Sequence, residues 1–206
     1  MPAGWAAFER QEAKWRQEGL ARQPEHVFVP LGRMSVELSL AVLVNEDAGF
    51  LDHGVVDPRA LRDVWHEWRE EGRVRGGSTI AQQLAKNLFL SGEKSVERKL
   101  LELRLAWWLE HDLGKRRVLE LYLNVVEFGG GHLGAEAASR RYFSCSCEVL
   151  DPRQAASLAA AIPSPGRDNP ETATHRWAVR RDLILTRMGR ATRLRQRLVA
   201  LRDSAP

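Results

Sequence analysis

The chain has 206 residues, 44% of them hydrophobic, so it can bury a core of its own as a single domain. Its formal net charge of +4 favours anionic partners such as phosphates, nucleic acid or an acidic membrane surface. The absence of any run of about 18 apolar residues excludes a membrane-spanning helix in this sequence, and residues 1–24 lack the apolar segment of a secretory signal.

Helical patterns separated by turn residues recur along the chain and predict a mainly α-helical fold. Ser35 is placed to cap a helix that ends at Glu46, and Asp57, followed by proline, is placed to start the next one. Thr79 is placed to open a helix that runs to about Leu90.

The second half of the sequence continues this pattern. Ser95 is expected to cap a helix through Leu109, residues 115–124 form another, and helix resumes near Ala135 after a glycine loop. Asp151 and Thr174 are expected to start two more. Strand patterns are scarce, and the best are residues 27–30 and 125–128.

Glu46 and Asp47 directly follow an apolar helical run. A carboxylate at the end of a buried stretch is partly desolvated, which raises its pKa and suits it to act as a base. Phe50 and His53 follow with a hydrophobic wall and a polar group. A solvated helix end is the alternative, and composition alone does not decide between the two.

Residues 76–87 combine glycines, hydroxyls, amides and a cation. The glycines allow close approach of the backbone, and a helix N-terminus offers free N–H groups to an anion. The helical spacing allows Gln82, Gln83 and Lys86 to share one surface. An ordinary capped helix, with Gln82 completing a capping box, is equally compatible with this pattern.

Arg98 and Lys99 lie at helical spacing from Glu102, an arrangement that in isolation reads as a surface salt bridge. The tryptophans read mostly as core residues, with some exposed at a membrane interface as the alternative. Cys145 and Cys147 are too close in sequence for an easy mutual disulfide and read as loop residues.

Four motifs in order resemble the peptidoglycan glycosyltransferase family, glycosyltransferase family 51. They are Glu46-Asp47-x-x-Phe50-x-x-His53, Gly76-Gly77-Ser78-Thr79-Ile80-x-Gln82-Gln83, Arg98-Lys99-x-x-Glu102 and Leu119-Glu120-x-Tyr122-Leu123-Asn124. The similarity runs over residues 27–188 and is greatest to the stand-alone, monofunctional biosynthetic transglycosylases. Four ordered motifs at the expected intervals are specific, whereas each alone is weak.

The resemblance implies a lysozyme-like helical lobe with a small membrane-facing jaw around residues 65–73. It implies three divisions, which are an N-terminal segment over residues 1–26, a glycosyltransferase domain over 27–190 and a basic C-terminal helix or tail over 191–206. The implied reaction polymerises lipid II into β-1,4 glycan strands, with inversion and release of polyprenyl pyrophosphate.

The resemblance also implies roles for individual residues. Glu46 would be the general base, and Glu102 would orient nearby cations or assist the leaving group, with a divalent ion such as Mg²⁺ an option beside it but no cofactor essential. The residues that would neutralise pyrophosphate are Lys86, Lys94, Arg98 and Lys99. Those that would bind or position substrate are Asp47, Phe50, His53, Gly77, Ser78, Thr79, Gln82, Gln83, Asn87 and Asn124.

The implied setting is the periplasmic face of the bacterial cytoplasmic membrane. Expected partners are lipid II, the polyprenyl-linked glycan chain and the membrane surface, with other cell-wall synthesis proteins as a further option and no nucleic acid. The family's usual N-terminal membrane helix is not found in this sequence, so the anchor is expected to lie outside it. Two further departures are Gly54 and Val55, where the family's glycine comes one place later, and Ser144-Cys145 in place of Gly-Lys.

Three other readings stay open at this point. A lysozyme-type hydrolase could use Glu46 as an acid, although it would not need the cation cluster. A basic helical nucleic-acid binder would be opposed by the carboxylates at Glu46, Asp47 and Glu102, which repel phosphate. An inactive family member that only binds lipid is the third reading, because of the shifted Gly54.

Overall fold

The computed structural model describes residues 27–57, 77–90 and 95–203. Helices account for most of the regular structure in these residues. They are α1 Val36–Glu46, α2 Ile80–Phe89, α3 Val96–Val125, α4 Ala135–Phe143, α5 Pro152–Ala159, α6 His175–Arg190 and α7 Thr192–Asp203. The mainly helical prediction is confirmed. The expected helix after Asp57, the jaw around residues 65–73 and the predicted site residue Lys94 lie outside the described residues.

The two weak strand predictions are wrong. Within the described ranges the sole β-type pairing is an isolated bridge between Glu127 and Leu133, and residue 125 is the last of α3. Residues 27–30 have no regular secondary structure, and the backbone of Val29 pairs with the Asn124 side chain instead of a neighbouring strand. Across residues 27–57, 77–90 and 95–203, no helix is long and apolar enough to cross a membrane.

Local capping explains where most helices begin. Each side chain that caps a first turn accepts a hydrogen bond from a backbone N–H that has no partner within its helix. These N-caps are Ser35, Thr79, Ser95, Asp151 and Thr174. All five were predicted from the sequence, since a cap and the apolar face that follows it are local signals.

The two helices expected over residues 95–109 and 115–124 are both present. They follow each other within α3, which spans 30 residues and is divided at Gly114. Gly114 has φ 69° and ψ 170°, which are not helical values and lie in a region that is essentially restricted to glycine. The segment before this break is largely exposed, whereas residues 118–125 are buried.

The core forms where α1 packs against α5, α6 and α7, while α2 lies along α3. Every residue from 38 to 44 of α1 is buried, so this helix is surrounded on all sides and holds its C-terminal end in place. Glu46 is the last residue of α1 and faces α2. The fold thus places a carboxylate at the junction of the two packed groups of helices.

The tryptophan prediction holds for one of the three described side chains. Trp177 is buried, and its indole N–H donates to the Ser157 carbonyl at 2.9 Å. Trp107 and Trp108 on α3 are instead 59% and 40% exposed. Cys145 and Cys147 are free thiols, and burial raises the pKa of Cys147.

Candidate active site

Glu46 is half-buried and is held by two amides. Its Oε1 accepts a hydrogen bond from Asn45 Nδ2 at 2.7 Å, and its Oε2 accepts one from Gln83 Nε2 at 2.8 Å. Burial raises the pKa of Glu46 above its ordinary value, against the opposing effects of the Gln83 hydrogen bond and the charges of Arg180 and Lys86. The alternative of a solvated helix end therefore does not apply.

Glu46 lines a pocket with a volume of about 560 Å³. Residues from four parts of the chain form its wall, and all carry polar groups except one proline. They are Asn45, Glu46, Ser78, Gln83, Pro163, Arg176 and Arg180. A pocket of this size holds a ligand of several rings and presents both a carboxylate and cations to it.

The two arginines of this pocket were not predicted from the sequence. Arg180 donates from NH1 to the Ala160 carbonyl at 2.9 Å, and the same nitrogen lies 4.0 Å from Oδ2 of buried Asp168. Arg176 Nε is 3.7 Å from that same oxygen. Their i, i+4 spacing on α6 was visible in the sequence, but it could not show that this helix faces Glu46.

Asp47 and His53 connect the loop after α1 to the start of α2. Asp47 Oδ1 lies 2.6 Å from His53 Nε2, and Asp47 Oδ2 accepts a hydrogen bond from the Ile80 N–H at 3.0 Å. The Gln82 N–H donates to Thr79 Oγ1. Two N–H groups of the predicted anion cradle thus have protein partners, and Asp47 fills the place expected for a substrate anion.

The side chains of Thr79 and Gln82 brace the loop that carries the departure from the family pattern. Thr79 Oγ1 and Gln82 Nε2 both donate to the Val55 carbonyl, at 2.9 Å and 2.7 Å. Gln82 therefore does not complete the capping box that its spacing allowed. Because the contact is made by the backbone of Val55, the altered side chain at this position leaves the brace in place.

Glu102 is only 3% exposed and pairs with two cations. Arg98 NH1 donates to its Oε2 at 3.2 Å, and Lys99 Nζ donates to its Oε1. Lys99 also donates to Gln82 Oε1 at 2.9 Å, which links α3 to α2. The surface salt bridge reading is wrong because the carboxylate is buried. Lys86, by contrast, is exposed on α2.

Phe50 and Asn124 are two of the buried residues among those predicted to bind substrate, and they can act only through other groups. Phe50 is fully buried beneath Lys115, whose Nζ lies 4.5 Å from the centroid of the ring. Asn124 is buried and exchanges hydrogen bonds with the backbone of Val29. Gly77, Ser78 and Asn87 are half-buried near the start and end of α2.

Tyr122 lies in the fourth motif but was not among the predicted site residues. Its hydroxyl donates to Gln83 Oε1 at 2.8 Å, so that it reaches Glu46 through one intervening side chain. Its place in the motif could have singled out Tyr122, but the sequence could not show that its partner is Gln83.

The surroundings of Glu102 do not suit a divalent ion, because both of its oxygens face cations. Among the described ranges, the three side chains whose ligand atoms lie within 4.8 Å of one another are Asp47, His53 and Asp57. The hydrogen bond between His53 and Asp47 already satisfies two of those atoms without a metal. No chemical step is therefore assigned to a metal here.

Comparisons with known proteins show the family to which the chain belongs. The family model described as Transglycosylase matches residues 13–189. Three proteins named biosynthetic peptidoglycan transglycosylase are similar to this chain. The protein from Bordetella avium is 42% identical over 191 residues, 90% of this chain and 80% of that protein. The one from Bordetella pertussis is 48% identical over 168 residues, with 79% and 69% covered. The one from Thiobacillus denitrificans is 45% identical over 170 residues, with 78% and 73% covered.

Proposed function

The chain belongs to the transglycosylase family, and on that premise we propose that the Glu46 pocket is where its glycosyl transfer takes place. The protein is a peptidoglycan glycosyltransferase, which acts on lipid II and the growing glycan chain. The observation that carries the assignment of the site is a carboxylate of raised pKa, held by two amides at the wall of the pocket.

In the proposed reaction Glu46 acts as the general base. The 4-hydroxyl of the acceptor GlcNAc gives its proton to the Glu46 carboxylate as its oxygen attacks C1 of the donor MurNAc. The bond from C1 to the polyprenyl pyrophosphate breaks, and its electron pair leaves with the pyrophosphate. Attack from the face opposite the leaving group inverts the α-linked donor to a β-1,4 product. The raised pKa suits a group that must accept a proton near neutral pH.

The cations beside the pocket would stabilise the charge that develops on the leaving pyrophosphate. Lys86 is exposed on α2, one turn after Gln83, and its charge lowers the pKa of Glu46. Arg98 and Lys99 are held in place by buried Glu102. Cations fixed before the reaction begins stabilise a transition state without having to reorganise. Glu102 is therefore proposed to position the cations, whereas Glu46 is proposed to carry the proton.

The direct test supplies fluorescently labelled lipid II and separates the products by gel electrophoresis. The wild type should form a ladder of glycan strands that a muramidase degrades. Glu46→Gln should form none, while the matched control Glu148→Gln, outside the pocket, should behave as wild type. Cleavage of preformed strands without elongation of lipid II would instead identify a lysozyme-type hydrolase and contradict the proposal.

We further propose that the protein contacts the outer face of the bacterial cytoplasmic membrane, where its lipid-linked substrate lies. The supporting feature is the exposed apolar face of α3, formed by Val96, Leu100 and Trp107 at i, i+4 and i+11. Arg104 is exposed beside it. Apolar residues with tryptophan and basic neighbours are typical of helices that lie in a membrane interface. Other cell-wall synthesis proteins stay a predicted class of partner.

Co-sedimentation with anionic vesicles tests this membrane contact. The wild type should pellet with vesicles at low salt and less at high salt, because screening weakens attraction between exposed charges. The double variant Leu100→Ser and Trp107→Ser should pellet several-fold less. Val179→Ser, which alters an exposed apolar residue on α6, is the control. Failure of the wild type to pellet at low salt would contradict the contact.

A further inference from the structure

Tyr122 is a fully buried side chain with one polar atom, and that atom points towards the site. Its hydroxyl donates to Gln83 Oε1 at 2.8 Å. Burial, together with the negative charges of Glu46 and Asp47, raises the pKa of Tyr122 well above its usual value. The hydroxyl therefore keeps its proton throughout the neutral range and acts as a fixed donor.

The Gln83 amide has two distinct ends, and the structure uses both. Oε1 accepts from Tyr122, while Nε2 donates to Glu46 Oε2 at 2.8 Å. If the amide turned over, its oxygen would face the Glu46 carboxylate and its NH₂ would face the hydroxyl proton of Tyr122. Both contacts would then be repulsive unless the hydroxyl also turned away. The tyrosine therefore favours the amide orientation in which an N–H faces Glu46, as does the longer contact of 3.5 Å from Gln83 Nε2 to the Ser78 carbonyl.

We propose that Tyr122 is a positioning residue for the reaction, which acts through Gln83 to hold the Glu46 carboxylate in place. The proposal rests on the role of Glu46 as the base. Tyr122 itself does not touch substrate, because it is fully buried behind Gln83. Its contribution is to keep one oxygen of Glu46 hydrogen-bonded to Gln83, which restricts rotation of the carboxylate.

The groups around Glu46 predict how the site changes without this hydroxyl. Its charged or titratable neighbours come from four parts of the chain, and Asn45 and Gln83 donate hydrogen bonds to it. These neighbours are Asp47 after α1, Lys86 on α2, Tyr122 on α3, and Arg176 and Arg180 on α6. Asn45 is fixed separately, because its Nδ2 also donates to the Ala159 carbonyl at 3.1 Å. Gln83 is the donor whose orientation depends on Tyr122.

Loss of the hydroxyl should therefore weaken the hydrogen bond from Gln83 to Glu46. That hydrogen bond lowers the pKa of Glu46, so its loss should raise the pKa further. A base with a higher pKa is protonated, and thus inactive, up to a higher pH. The acid limb of the pH–rate profile should move to higher pH, an effect that a loss of stability alone would not produce.

The experiment compares Tyr122→Phe with Tyr142→Phe, since these are the two tyrosines of the chain. Tyr142 is half-buried, and within the described ranges its hydroxyl has no hydrogen-bond partner. Lipid II polymerisation is measured as kcat and KM from acid to alkaline pH. Tyr122→Phe should lower kcat about tenfold near neutral pH, with little change in KM. Its acid limb should move to higher pH, whereas Tyr142→Phe should match wild type.

A second variant covers the case in which Tyr122→Phe folds poorly. Gln83→Met removes the amide at similar size and should move the acid limb in the same direction. In that background Tyr122→Phe should move the limb no further, because the group through which it acts is gone. An unchanged acid limb in a folded Tyr122→Phe protein, or in Gln83→Met, would overturn the role of Tyr122. If Glu46→Gln kept its activity, the assignment of the base would fail instead.

Discussion

Glu46 is half-buried and Glu102 is buried, and the groups that hydrogen-bond to these two carboxylates differ in charge. Glu46 is held by the neutral amides of Asn45 and Gln83, whereas Glu102 is held by the cations of Arg98 and Lys99. A carboxylate between amides keeps a charge that a proton can neutralise, whereas one between cations is already compensated. The two carboxylates thus differ in the charge of the groups that hold them, which fits the proposed roles of Glu46 in proton transfer and of Glu102 in fixing cations.

The largest expected effect comes from removing the charge of Glu46. Glu46→Gln should lower turnover at least about 100-fold, because it removes the proposed general base. Its melting temperature should not fall. The raised pKa means that Glu46 stabilises the fold fully at acid pH, and that this contribution is lost as the pH rises through the folded-state pKa. Thermal unfolding should therefore show that the stability of Glu46→Gln relative to the wild type is greater at neutral pH than at acid pH.

Near wild-type turnover in a folded Glu46→Gln protein would contradict the proposed role of Glu46 as the general base, on which its comparison with Glu102 depends. Glu148→Gln is the control in both measurements, since it alters a partly exposed carboxylate that pairs with Arg33.

Glu102→Gln should lower turnover less than Glu46→Gln does, and unlike Glu46→Gln it should also lower stability. Arg98 and Lys99 would lose their common anchor, and turnover should fall roughly tenfold because preorganised cations contribute to transition-state stabilisation. Stability should also fall, by about 1–2 kcal/mol, since a buried pair is broken while the partner side chains are 20% and 43% exposed and screened by solvent.

Urea unfolding and steady-state turnover measure the two effects of Glu102→Gln. Glu171→Gln, in an exposed pair with Arg141, should change neither. A Glu102→Gln variant as inactive as Glu46→Gln, with unchanged stability, would show that Glu102 takes part in proton transfer.

The cations Lys86 and Arg98 should also differ in how much each contributes to stability. Lys86→Ala and Arg98→Ala should each lower kcat/KM about tenfold, as expected for groups that face a leaving pyrophosphate. Only Arg98→Ala should lower the melting temperature, because Arg98 pairs with buried Glu102 while Lys86 is exposed. Turnover assays with differential scanning fluorimetry test both variants. Unchanged turnover with reduced stability in either variant would make that residue structural.

The smallest expected effect is on the pH dependence of the wild type and of Lys86→Ala. Activity should be lost on the acid side at a pH above the ordinary range of glutamate, since burial raises the pKa of Glu46. The Lys86 charge lowers this pKa, so Lys86→Ala should move the acid limb of kcat/KM to slightly higher pH. Arg187→Ala, on the exposed side of α6, should leave the limb unmoved.

Features that depend on neighbouring residues could be predicted from the sequence. Thr79 and Ser95 cap their helices as expected, because a capping side chain and the N–H it accepts from are three residues apart. Glu46 could be singled out for a related reason, since the apolar run before it predicts partial burial. These signals lie within one or two turns of helix.

Features that depend on packing could not be predicted. Arg180 faces Glu46 from a helix far along the chain, and no local pattern reveals that approach. Phe50 and Asn124 were read as binding residues from the motifs that contain them, but motif membership does not separate a side chain that meets substrate from one that supports it. The site residues as a set stay a prediction until they are tested by substitution.

The interruption at Gly114 affects which sequences this fold can accept. A Cβ at this position would meet no atom within 4 Å, so the restriction comes from the backbone angles alone and not from crowding. The segment before Gly114 is largely exposed to solvent, whereas the segment after it is buried in the core. Substitutions in one segment can therefore be accepted independently of those in the other, whereas position 114 is restricted to glycine.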